Sequence, residues 1–271
     1  MDIRTTLVAI LIIAVIQQVG CAVTNNRSDL PYPAFVQTDE LPDMFVAALP
    51  GVRAKQYVSD MHTRTSSNRI DIPPDWSGTT GGAPGKSLEI FVLAGELKFS
   101  EFVLRSGGYA YVPPGNLGFR LKSDGGARIL YFLDDVDASS VIRSPLILES
   151  TLLTWQETSP GVFVKELRAD PGNGSKTWLK RIDPGANLPW QSSSANREGY
   201  LVRGEYQHSE CFDGEAETGQ YLPGGYFQRP ANVVNAGPAA SATAESVWFL
   251  REQGPGVTAI VDRCIVAETG P

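Results

Sequence analysis

Apolar and polar residues alternate in short runs along most of this chain. LEIFVLAGELKF (Leu88–Phe99) and REGYLVRGEYQH (Arg197–His208) each carry an apolar strand into a tight glycine turn and out again. GGY stretches at Gly107–Tyr109 and Gly224–Tyr226 lead toward proline turns. LYFL (Leu130–Leu133) and VWFL (Val247–Leu250) are apolar or aromatic runs of the kind that close a barrel. Nothing between Ser66 and Glu252 has helical periodicity, and Leu41–Leu49, starting at PDMF, is the candidate for one short helix. The N-terminus differs: Leu7–Ile16 is an unbroken apolar run of ten.

The strand pattern occurs twice. Leu88–Phe99 matches Arg197–His208 at an offset of 109, and Ser106–Gly118 matches Pro223–Asn235 at 117. Ile129–Asp134 matches Ser246–Arg251, again at 117, and RID recurs at Arg69–Asp71 and Arg181–Asp183, an offset of 112. Four ordered blocks with changing loop lengths indicate a duplicated domain. The expected fold is all-β, two tandem jelly-roll barrels over residues 35–150 and 151–271. Residues 1–21 read as a signal peptide and 22–34 as a tether.

Composition narrows the function classes. With 27 glycines, 19 prolines and 42% hydrophobic residues, short strands and turns are favoured in a soluble globular body. A formal charge of −7 and the absence of a basic run set nucleic acid aside as a partner. Ten apolar residues are short for a membrane span but suit a signal-peptide core, which implies export to the periplasm or cell envelope. VGC at Val19–Cys21 resembles the end of a bacterial lipoprotein signal, in which Cys21 would be lipidated and tie the chain to a membrane; Gln18 departs from that pattern. Ordinary cleavage after Ala22 is the alternative. Cys211 and Cys264 then remain, either as a disulfide in an oxidising compartment or as two half-buried thiols.

The paired blocks resemble the two sequence motifs of the cupin superfamily, and the duplication resembles a bicupin. VLAGE and LVRGE carry the frame of the first motif, GGYAYVPPG and GGYFQRPAN that of the second. They are also similar to uncharacterised bacterial bicupins related to the cupin domain of an anti-sigma factor. The resemblance implies a divalent metal held by three histidines and a glutamate. Counted back from Gly95, those positions fall on Leu88 and near Gly82 and Pro84, with Gly118 in the second motif; the first barrel should be apolar inside. Counted back from Gly204, they fall on Arg197 and near Gln191 and Ser193, with Asn235 in the second motif. None of these suits a catalytic metal, so no cofactor is expected. All are polar, and Arg197 pointing inward would suit a small carboxylate, with Gln191, Ser193 and Asn235 completing the pocket. A one-residue slip would instead turn Glu89 and Glu198 inward and leave Arg197 on the surface.

The two histidines fall outside both motifs. His62 reads as a solvated loop residue and His208 as sitting on the outward face of its strand. Phe91, Tyr109 and Tyr111 in the first copy, and Trp190, Tyr200 and Tyr226 in the second, read as barrel-mouth aromatics or as packing. The favoured reading is a non-catalytic, exported bicupin that binds a small ligand, with an anion the best candidate, or serves a structural or sensory role. Its competitors are a metal-dependent dioxygenase or isomerase with atypical ligands and a metal-independent epimerase-like cupin, which would need a histidine base. The oligomeric state is left open.

Overall fold

A computed structural model describes residues 30–46, 49–116 and 118–265. The signal segment and Cys21 lie outside the described residues. The polypeptide forms two antiparallel jelly-roll barrels of the cupin type, one from each repeat. The first centres on Gly108–Val112, Lys86–Phe99, Ala127–Asp135 and Thr65–Ile72, neighbours in that order. In the second, Gly225–Arg229, Asn196–Arg203, Ser246–Gln253 and Lys176–Ile182 form the equivalent run. A facing sheet of Glu215–Tyr221, Tyr206–Phe212, Asn235–Ala236, Trp190–Ser193 and Thr258–Ile260 closes the second barrel.

Strand alternation sends side chains to two different places. One face of each large sheet fills its own barrel: Ile70, Leu88, Ile90, Val92, Val112 and Ile129 in the first, Leu201, Phe227, Trp248 and Leu250 in the second. The opposite faces pack against each other. Phe91, Tyr109, Tyr111, Leu130 and Phe132 meet Tyr200, Tyr226 and Phe249 in a shared core, with Phe91 and Phe249 ring centroids 4.9 Å apart. These tyrosines therefore glue barrel to barrel and do not line mouths.

The turn glycines that frame the repeat are sterically required. Gly95 and Gly204 have φ of +79° and +85°, and a Cβ on either would sit 2.3–2.4 Å from a carbonyl oxygen of the neighbouring loop. Beyond these turns the register departs from the sequence repeat. Val92 pairs with Ile129 and Leu201 with Trp248, so Ile129 and not Tyr131 is the counterpart of Trp248. Bulges between Arg128 and Ile129 and between Leu201 and Arg203 mark this region.

The N-terminal region corrects two expectations. Leu41–Val46 is not helical: a 3-10 turn at Thr38–Glu40 is followed by a short strand at Asp43–Met44. Nor is the stretch before residue 35 a free tether where it is described. Leu30, Tyr32 and Ala34 are buried, and Val36–Gln37 adds an edge strand beside Gly225–Arg229 of the second barrel. The apolar alternation at 30, 32, 34 and 36 is that of a strand lying on a core. Among the described residues, no helix is long and apolar enough to cross a membrane.

Candidate functional site

The second barrel holds a pocket of about 40 Å³, bounded by Lys180, Gln191, Arg197, Tyr206, His208, Arg229, Asn235 and Trp248 over an apolar floor. Space of this size admits roughly three water-sized groups. Its walls come from both sheets. Lys176–Ile182 turns Trp178, Lys180 and Ile182 inward and Thr177 and Leu179 toward the first barrel. Tyr206–Phe212 contributes Tyr206 and His208, and Gly225–Arg229 contributes Phe227 and Arg229.

Arg197 lines the pocket, while Glu198 points to the first barrel, where it accepts from Arg251 at 2.8 Å and from Tyr226. The guanidinium is already engaged: Arg197 donates through Nε and Nη2 to Glu252 Oε1 at 3.1 and 2.6 Å, and to Thr258 at 3.2 Å. Ser193 does not border the pocket; its hydroxyl donates to the same carboxylate at 2.6 Å. Glu252, with a fully buried side chain, also takes Lys176 at 2.8 Å. Gln191 and Asn235 line the pocket, and Asn235 spends its amide on the Gln191 and Val233 carbonyls. The charge of Arg197 is thus neutralised by Glu252, and Nη1 is the nitrogen left without a hydrogen bond among the described residues.

Five neighbours absent from the sequence-based site complete it. Arg229 donates to Glu210 at 2.7 and 2.5 Å and to His208 Nε2 at 3.1 Å. With Arg229 donating to Nε2, the neutral imidazole carries its proton on Nδ1, and Nδ1 is buried without a partner. The Tyr206 hydroxyl and the Trp248 indole N–H are buried and unpartnered as well. Lys180 has neither a hydrogen bond nor a carboxylate partner among the described residues. Burial, reinforced by Arg197 and Arg229, brings its amine down to about 8. Burial also pushes His208 well below the ordinary imidazole range, with Arg229 and Lys180 adding to the effect. His208 therefore faces inward, against expectation, and is neutral at physiological pH.

The first barrel supplies an internal comparison. Through the turn glycines and the strand register, Ile70, Leu88, Leu97, Phe99, Val112 and Ile129 occupy the places of Lys180, Arg197, Tyr206, His208, Arg229 and Trp248. All six are apolar and buried in the first core. The same frame is filled with hydrocarbon in one copy and with polar donors in the other. Four of these exchanges, Leu to Arg, Leu to Tyr, Phe to His and Val to Arg, stand in the quoted repeats and could have been found by comparing them position by position.

The donor set does not fit the divalent metal typical of this fold. Among the described residues no group of three histidine, cysteine, aspartate or glutamate side chains is placed to hold one. His208, the only imidazole in the pocket, stands beside two arginines and a lysine, a field that repels a cation.

Comparison with solved structures agrees on the fold. E. coli YlbA, of the DUF861 family, superposes with a TM-score of 0.69 at 16% identity, covering 84% of this chain and 95% of that one. A candidate dioxygenase of Nostoc punctiforme gives 0.65 at 20%, covering 83% and 85%. A mutant of Bacillus subtilis oxalate decarboxylase gives 0.61 at 12%, covering 83% and 78%. A comparison with curated proteins returns no match. A family model described as a domain of unknown function, DUF4437, matches residues 49–256, both barrels together, and the chain belongs to that family.

Proposed function

We propose that this bicupin is a binding protein for a small anion, held in the second barrel. One observation carries the reading: Lys180 is a cation without a counter-ion in a pocket whose other unpaired groups include the N–H donors of His208 and Trp248 and the Tyr206 hydroxyl. Unsatisfied buried donors are costly, and an anion with several acceptor oxygens would satisfy them together. The arginines, neutralised by Glu252 and Glu210, shape the wall without cancelling Lys180. Oxalate decarboxylase, a structural neighbour, is named for a small dicarboxylate. That likeness is compatible with a carboxylate ligand but reaches this chain through the fold only.

The test is thermal denaturation in the presence of formate, acetate, nitrate and phosphate. Wild type should gain stability with the smallest anions, Lys180→Met should lose that gain, and Leu88→Met in the first barrel should keep it. A Lys180→Met protein that responds like wild type would remove the site.

We also infer that the protein works in the cell envelope, anchored through Cys21. The apolar run Leu7–Ile16 ahead of VGC supports this, and the Cys211–Cys264 disulfide is of the kind an oxidising compartment maintains. Labelling with a fatty-acid analogue should mark wild type and not Cys21→Ala. An unlabelled but processed wild type would mean simple cleavage.

A further inference from the structure

We propose that Lys180 binds its ligand covalently, condensing with the carbonyl of a small oxo acid to form an imine. This deepens the anion-pocket reading and rests on it.

The placement is that of a nucleophilic amine. Lys180 projects from the middle of Lys176–Ile182 into the pocket, paired across the sheet with Trp248. The two guanidiniums of the wall, Arg197 and Arg229, are each held by a buried carboxylate, so neither carboxylate is left for the lysine. A lysine set beside cations and apolar rings favours its neutral form, and only a neutral amine attacks a carbonyl. Its value of about 8 leaves a substantial neutral fraction at physiological pH.

The remaining groups match the other end of an oxo acid. Nη1 of Arg197 and Nη1 of Arg229 make no hydrogen bond among the described residues, and both arginines border the pocket, so they can take the carboxylate of the ligand. The Tyr206 hydroxyl and His208 Nδ1–H are unpartnered and can serve the oxygen that must leave. In the step itself the amine nitrogen forms a bond to the carbonyl carbon, and its two protons pass to the carbonyl oxygen. The carbon–oxygen bond then breaks and the oxygen departs as water, leaving a C=N bond to Lys180. No oxidant or reductant takes part. About 40 Å³ restricts the ligand to the smallest members of the class, of which glyoxylate is the shortest and pyruvate the next.

The experiment is borohydride trapping on the full chain. Wild type, Lys180→Met and Lys180→Arg are incubated with glyoxylate or pyruvate, reduced, and read by intact mass and peptide mapping. Thermal denaturation with formate and acetate runs in parallel. Wild type should gain one carboxymethyl group per chain from glyoxylate, on Lys180, on the order of tenfold faster than on any other lysine. Lys180→Met and Lys180→Arg should both lose that adduct, while wild type shows the thermal response to formate. Adducts spread evenly over surface lysines, with the formate response intact, would overturn the covalent step and leave the anion pocket standing. Loss of both signals in wild type would overturn the pocket as well.

Discussion

Lys180 and His208 make the same demand on the folded state. Each is placed where its charged form is disfavoured, Lys180 by burial and the two arginines, His208 by burial, Arg229 and Lys180. For Lys180 this is a standing cost below pH 8, since folding must accept an unpaired cation or release its proton. Lys180→Met should therefore raise the unfolding free energy, by about 1–2 kcal/mol, while abolishing the anion response; chemical denaturation measures the first and thermal shift the second. A variant that lost both stability and binding would mean that Lys180 is structural. For His208 the sign is the same and the window lies at lower pH. The unfolded chain takes up a proton near 6.5 and the folded one does not, so stability is held above that pH and falls as acid is added. Urea unfolding at a series of pH values should show this slope, and His208→Phe should flatten it. An unchanged slope would place the acid sensitivity elsewhere.

At the level of strands, the C-terminal segment closes the pocket wall. Thr258–Ile260 pairs with Trp190–Ser193, which carries Gln191, and Thr258 accepts from Arg197 at 3.2 Å. Cys264 is bonded to Cys211 on the strand that carries His208, at a sequence separation of 53. Cys264→Ser, or reduction, should lower stability by about 2–4 kcal/mol and loosen this wall, read as a lower denaturation midpoint and faster protease cleavage after residue 254. Midpoints that coincide would show that strand pairing alone suffices.

What was legible in the sequence follows from these elements. The seven-residue count back from the turn glycines lands on Leu88 and Arg197, and both lie on the inner face; a bulge falls inside each count, which is why alternation alone left Arg197 and Glu198 as alternatives. Lys180 was not legible. KTWLKRI carries no motif and alternates charges as a surface strand would, and only its register against Trp248 shows that Lys180 faces inward. His208 follows a turn whose bulge, between Leu201 and Arg203, makes simple alternation across it unreliable. The buried stretch from Leu30 to Val36 did show period-two apolarity, but its proline content read as a tether.

Across the whole molecule, the contact between barrels is organised by one arginine. Arg251 donates to Glu89 at 2.7 Å, to Glu198 at 2.8 Å and to Asp134, over the face of Phe132. Tyr109 donates to Glu89 as Tyr226 does to Glu198, so the duplicated Glu–Tyr pair is used twice around a shared cation. This face could not be assigned from one repeat alone, because its partner is the other barrel. Although burial pushes the Glu89 carboxyl up, Arg251 and Arg168 hold it down at about 2. Arg251→Met would strand three carboxylates and should cost about 3–5 kcal/mol, seen as a drop in the denaturation midpoint; a change within 1 kcal/mol, the size of a surface pair, would make this cluster incidental. The two barrels thus share a core while differing inside: at the six matched positions one is apolar and the other is supplied with donors and a free cation. Crystals grown in bromide test that difference most directly, since the anomalous signal locates the ion. The account expects a peak beside Lys180 in the second barrel, absent from Lys180→Met crystals and from the first barrel of both. Bromide found only on the surface, with water filling the wild-type pocket, would contradict it.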